Sequence, residues 1–164
     1  MKAWMGKNLN VDLSNNEIDS KDTDEEMASR FLGGRGFGTK ILFDALDPGV
    51  DSLSSENVVV IATGPLTGGP VPTPGRFSAS TKSPLTGTIT DSNCGGDWGP
   101  AFKRTGNDYL VLEGSAPEPT YMTIFDGEAE LHDAKNLWGL KTSEVTELLQ
   151  EEHGAKAKVL CIGP

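Results

Sequence analysis

"NVVVIATGPLTGGPVPTPGRFSASTK", residues 57–82, changes character twice. Val58 to Ala62 is an unbroken apolar run, the pattern of a strand buried on both faces. Gly64 to Gly75 is too rich in glycine and proline for helix or central strand. Phe77 to Lys82 then alternates like a strand again, "SPLTG" (83–87) turns, and "TITDS" (88–92) returns. Together these make a hairpin that delivers both of its ends to one edge, beside a glycine–proline loop.

The same grammar extends in both directions. Leu9, Val11 and Leu13 alternate with polar residues, "SNNE" turns and Ile18 resumes, so a hairpin opens the chain. Acidic "DTDEE" (22–26) offers N-caps for a helix through Met27, Ala28, Phe31 and Leu32 that stops at Gly33-Gly34. A second helix after "RGFG" carries Ile41, Leu42 and Ala45 and ends before Pro48. Past residue 98 come a short helix, "PAFKRTG", with Pro100 in its first turn and Gly106 closing it, then three strands in "DYLVLEG", "PTYMTIFD" and "EAELHDA". Asp126-Gly127 is the hairpin signal between the last two. "TSEVTELLQEEHG" (142–154) is an amphipathic helix with Thr142 as cap, Val145, Leu148 and Leu149 inward and Gly154 closing it. "AKVLCIGP" (157–164) reads as a last apolar strand with Cys161 in the core. It repeats the strand-into-Gly-Pro pattern of "VVIATGP" (59–65), which suggests an internal duplication and a chain that is the front piece of something longer. The expectation is an α+β fold of two mainly antiparallel β-sheets with a few helices.

Composition narrows the function classes. A net charge of −10 disfavours nucleic acid and anionic membrane as partners. No run approaches the roughly 20 apolar residues of a membrane span, and the first residues lack the apolar stretch of a signal peptide, so a cytoplasmic protein is expected. Charge is uneven, however. Residues 57–104 carry 4 basic and 2 acidic side chains, against 6 and 11 before them and 4 and 11 after. A basic, glycine-rich middle in an acidic chain suggests a cleft-bound anion.

Individual motifs sharpen this. "GGRGFG" (33–38) fails as a dinucleotide fingerprint, because the last glycine would have to stand where Thr39 does and the motif follows a helix instead of a strand. It is either a glycine turn between helices or a flexible mount that turns Arg35 toward an anion. Cys94, in "DSNCGGDWGP" (91–100), could be a nucleophile only with a base beside it, and neither His132 nor His153 can be placed there from sequence. Two cysteines this far apart make neither a metal-ligand pair nor a disulfide framework. Arg76, at the start of a strand, can fork onto a phosphate or a planar heterocycle. Asn93 offers both an acceptor and a donor, and the bare backbone of Gly95-Gly96 can approach a phosphate closely. Asp97 would oppose a bare anion unless a divalent cation is shared.

Residues 31–114 as a whole, and in particular "ATGPLTG", "GRF", "SPLTGTI" and "DSNCGG" in that order, resemble the N-terminal domain of the tungsten-containing aldehyde ferredoxin oxidoreductases. The likeness runs on through "LWG" around Trp138 and the helix after it. The resemblance implies that residues 1–164 are a pterin-cofactor-binding domain. Its two related sheets would form the base on which a tungsten (or molybdenum) bis-molybdopterin lies. It implies that Arg76, Asn93 and Gly95 contact the pterins and their phosphates, and that Asn93 helps hold a Mg2+ ion bridging those phosphates. The parent oxidoreductase would oxidise an aldehyde to a carboxylic acid and pass electrons through a [4Fe–4S] cluster to ferredoxin. The cluster cysteines, the acid–base side chains and the rest of the pterin site would come from remaining domains of the same polypeptide, and the full-length protein would be a homodimer. This piece alone would be inactive. The rivals are a freestanding, non-catalytic module for a phosphate-bearing ligand and a small cysteine-dependent enzyme.

Overall fold

The structure is a computed structural model that describes residues 3–164. Eight strands and four helices are found among them. In chain order they are β1 (Lys7–Asp12), β2 (Glu17–Asp22), α1 (Glu25–Phe31), α2 (Arg35–Ala45), β3 (Val59–Thr63), β4 (Phe77–Lys82) and β5 (Ile89–Cys94). There follow α3 (Trp98–Arg104), β6 (Asn107–Glu113), β7 (Thr120–Phe125), β8 (Glu128–Asp133) and α4 (Thr142–His153). Strands β1 to β6 form one sheet in the order β2-β1-β6-β3-β4-β5, and β7-β8 form a second. Every pairing is antiparallel except β1 with β6. The α+β fold of two mainly antiparallel sheets is therefore the one found.

The central strands explain the continuous apolar runs. Val60 and Ala62 of β3, with Tyr109 and Val111 of β6, pack under Ala28 of α1 and Phe37 and Leu42 of α2. Ile61 and Leu110, one residue out of phase, face the other way onto Leu9, Val11, Phe77 and Phe102, and the β7–β8 hairpin covers that side through Met122, Ile124 and Leu131. Period-two alternation sends neighbouring residues to opposite faces, so a sheet covered on both sides must be apolar at every position. Each fully buried Val, Leu or Phe here contributes about 1.5–3 kcal/mol.

The glycines of residues 33–38 are explained by packing. A Cβ on Gly33 would lie 2.6 Å from the Thr63 carbonyl oxygen, one on Gly36 would strike the Phe31 carbonyl, and one on Gly38 would strike Ser80. Gly33 and Gly38 let this segment lie close against β3 and β4, and Gly36 lets α2 close on the end of α1. The helix starts earlier than expected, at Arg35, so "RGFG" forms its first turn instead of preceding it.

Four expectations fail toward the end of the chain. Residues 157–164 form no strand, and they lie beside α4, where Gln150 Nε2 donates to the Ala157 carbonyl. Leu160 and Ile162 are exposed, and the run joins neither sheet among the described residues. Cys161 is accordingly half-buried at the edge of α4, not in a core. The two strand-into-Gly-Pro runs thus differ in conformation. In α4 the cap is Lys141, whose N–H donates to the Glu144 carboxylate, and Thr142 is the first helical residue. Val145 and Leu149 point inward as expected, while Leu148 is 43% exposed. Among the described residues no helix is long and apolar enough to cross a membrane.

Candidate functional site

At one end of the six-stranded sheet, the turn between α1 and α2, the loop after β3 and the ends of β4 and β5 surround a cleft of about 340 Å³. Gly34, Gly64, Thr67, Arg76 and Asn93 are among the residues that line it. The hairpin geometry puts them there. Phe77 pairs with Cys94 and Ser78 with Asn93, so the loops before β4 and after β5 leave the sheet side by side. Asp91 and Asn93 share one face of β5, the face on which Ser80 underlies α2, and Cys94 alternates to the other.

Arg76 and Asn93, read as anion ligands from sequence, do line one cleft. The Arg76 guanidinium is exposed and has no hydrogen bond or ion pair among the described residues. Asn93 is turned by Ser78, whose hydroxyl donates to Asn93 Oδ1 at 2.9 Å, leaving the amide Nδ2 donor directed elsewhere. Gly95 lies just past β5, exposed, with nothing within 4 Å of where a Cβ would be. A cationic fork, an amide donor and a stretch of bare backbone are the donor set that suits phosphate oxygens and the polar edge of a heterocycle.

The loop carrying Arg76 is tightly bonded. Thr67 Oγ1 accepts from Gly64 N at 3.0 Å and donates to the Arg76 carbonyl at 3.0 Å. Thr67 N donates to the Gly64 carbonyl at 3.1 Å, and Gly68 N to the Pro74 carbonyl at 2.8 Å. Thr67 and Ser78 carried no signal in the sequence, because a lone hydroxyl in a loop or strand is read as turn chemistry or alternation.

The other candidates are accounted for differently. Arg35 does not face the cleft as a free cation: its Nε is ion-paired with Asp91 Oδ1 at 2.9 Å. Asp91 Oδ2 and the hydroxyl of Ser80, its cross-strand partner, are buried without partners among the described residues. Asp97 is exposed and paired with Lys158 Nζ at 3.1 Å, which offsets the charge that would oppose an anion. Cys94 Sγ is exposed and has only the Gly95 carbonyl at 3.6 Å. Both histidines are engaged elsewhere, His132 with Thr123 at 2.8 Å and His153 with the Tyr121 hydroxyl at 3.1 Å. No thiol–imidazole pair is formed, and no metal-binding group of His, Cys, Asp and Glu occurs among the described residues.

Comparison with known proteins follows the same line. The family model for the aldehyde ferredoxin oxidoreductase N-terminal domain matches residues 8–164. The tungsten-containing aldehyde ferredoxin oxidoreductase of Pyrococcus furiosus is 45% identical over 160 residues, 97% of this chain and 26% of that protein. The enzyme of the same description from Pyrococcus horikoshii is 44% identical over 100% of this chain and 27% of its own length. An aliphatic sulfonate oxidoreductase, WOR-like subunit, from Pyrococcus furiosus is 36% identical over 93% of this chain and 25% of its own. Among solved structures, the active site complex BamBC of benzoyl coenzyme A reductase with 1,5-dienoyl-CoA superposes with a TM-score of 0.96 at 36% identity. The match covers 99% of this chain and 25% of that one. The chain thus spans about a quarter of the length of the relatives it matches.

Proposed function

We propose, from the premise that the chain belongs to the aldehyde ferredoxin oxidoreductase N-terminal domain family, that it is the cofactor-holding domain of a tungsten (or molybdenum) bis-pterin oxidoreductase. The single observation that carries this reading is the cleft wall of Arg76 and Asn93, with a guanidinium that has no partner among the described residues and an amide donor oriented by Ser78. When bound, the pterin-held metal supplies two-electron redox chemistry that no side chain of this domain could provide.

The chain's own part is binding and orientation. Arg76 would fork onto a pterin phosphate or ring edge, Asn93 Nδ2 would donate to a second acceptor, and the Gly95 backbone would lie close against the ligand. The second lone pair of Asn93 Oδ1 would be open to a Mg2+ ion, which would offset phosphate charge. Two cysteines, one exposed and one beside α4, do not suit a four-thiolate cluster, so a [4Fe–4S] centre would take its ligands from outside residues 1–164. Aldehyde oxidation to a carboxylic acid, with ferredoxin as acceptor, is the reaction of the complete protein on this reading. Relatives named for aldehydes, for an aliphatic sulfonate and for benzoyl coenzyme A share this domain. That spread supports a domain that holds the cofactor and leaves substrate choice to other parts.

Elemental analysis of the complete protein, with Arg76→Ala and Asn93→Ala compared to the parent, tests the proposal. Tungsten and pterin per folded chain should both fall while the thermal midpoint stays within a few degrees. Unchanged metal and pterin content in both variants would overturn it.

A further inference from the structure

Lys103, on α3, is a buried lysine: its side chain is 8% exposed. The ammonium donates to the Gly64 carbonyl at 2.5 Å and to the Ala3 carbonyl at 2.9 Å. Its nearest carboxylate, Asp108, is 3.9 Å away, beyond hydrogen-bond reach. Asp108 is itself occupied by the backbone N–H groups of Met5 and Gly6, at 2.9 and 2.8 Å. Burial pushes the Lys103 pKa down, and Asp108 only partly opposes this. Taking an ammonium out of water here is costly, and an apolar side chain of similar volume would fill the same space. Packing therefore does not explain a cation here.

What the ammonium does hold is the root of the cleft loop. Gly64 is the first residue after β3, and its carbonyl takes the Lys103 hydrogen bond together with that of Thr67 N. Gly64 N donates to Thr67 Oγ1, and that hydroxyl donates to the Arg76 carbonyl. An unbroken path of hydrogen bonds thus runs from Lys103 through Gly64 and Thr67 to the backbone of Arg76. We infer that Lys103 is a positioning residue for the anion-binding wall, acting through Gly64 and Thr67 to hold the Arg76 backbone in place. This inference rests on the cofactor reading of the cleft.

Hydrogen exchange of backbone amides, measured together with tungsten content, tests it. Lys103→Met removes the donors and keeps the bulk. Losing one charge-assisted hydrogen bond should lower the protection of the Gly64, Thr67 and Gly68 amides by about tenfold or more, with β6 protection changed far less. Tungsten retention should weaken by roughly tenfold, the usual effect of losing a residue that orients a ligand-binding group. Asp108→Asn is the control, because it disturbs the same buried cluster without touching the Gly64 carbonyl. It should lower the thermal midpoint yet leave the 64–68 amides protected relative to β6. Thr67→Val cuts the path one link further on and serves if Lys103→Met does not accumulate folded. It should release the Gly68 amide and weaken tungsten retention likewise. Unchanged loop protection in Lys103→Met, or in Thr67→Val where that variant stands in, overturns the inference. So does equal loosening in Asp108→Asn. If Arg76→Ala and Asn93→Ala both keep their tungsten and pterin, the cofactor reading fails instead, and the exchange data still judge the Lys103 path.

Discussion

Gly95 lies outside the left-handed region, and a methyl group added there would meet nothing within 4 Å. Nothing inside this chain requires glycine at that position. If a ligand does, Gly95→Ala should leave urea stability within about 0.5 kcal/mol of the parent while tungsten and pterin content fall. Equal cofactor content would remove Gly95 from the site. Neighbouring Gly96 behaves otherwise, since its φ of +87° demands glycine by itself. Residue type and position singled out Arg76, Asn93 and Gly95 as anion contacts, and the resemblance added a pterin for them to hold. The supports were not legible. Ser78 turns Asn93 only because strand register sets them opposite each other, and Arg35 and Arg76 look equivalent until Asp91 is seen to occupy one of them.

At the scale of elements, the local signals held where the stabilising contacts are local. Asp24 caps α1 by accepting from Glu26 N at 2.7 Å and Met27 N at 3.3 Å. Asp24→Ala should therefore cost about 1 kcal/mol in chemical denaturation, with Asp24→Ser recovering most of it. Asp126 and Gly127, with φ of +49° and +88°, form the tight turn expected between β7 and β8. The close seat of α2 on the sheet is less local. Gly38→Ala would drive a methyl group onto Ser80, and such overpacking costs about 1–3 kcal/mol. A fall in the urea midpoint checks this, and an unchanged midpoint would mean that α2 can shift at no cost. The run at 157–162 has strand composition but pairs with no strand among the described residues, because composition favours an extended segment without choosing its partner.

The whole molecule is three layers deep, and its centre carries a titratable signature. Tyr109 of β6 lies under Phe37, with ring centroids 5.3 Å apart, and burial, then Asp108 and Asp24, push its pKa up to about 12. A tyrosine with a raised folded-state pKa adds stability that is intact below its unfolded value near 10.0 and is lost as pH climbs through about 12. Lys103, pushed down by burial, works in the opposite sense, becoming less costly as it loses its proton. Comparison with Tyr109→Phe isolates the tyrosine. The parent's stability advantage over this variant should shrink by on the order of 2 kcal/mol between pH 10 and pH 12 in equilibrium unfolding. A pH-independent difference would contradict the assignment.

Apolar runs, alternation, caps and glycine–proline turns specify most strands and helices of this protein because they act between residues close along the chain. Which polar atoms meet depends on how the chain packs in three dimensions. Gly64 finds Lys103, Asn93 finds Ser78 and Arg35 finds Asp91 across separations that one-dimensional pattern does not encode. The reason is physical: sheet register and layer packing choose the partner for each buried charge and hydrogen bond, and that choice leaves the Arg76 guanidinium without a partner among the described residues at the cleft.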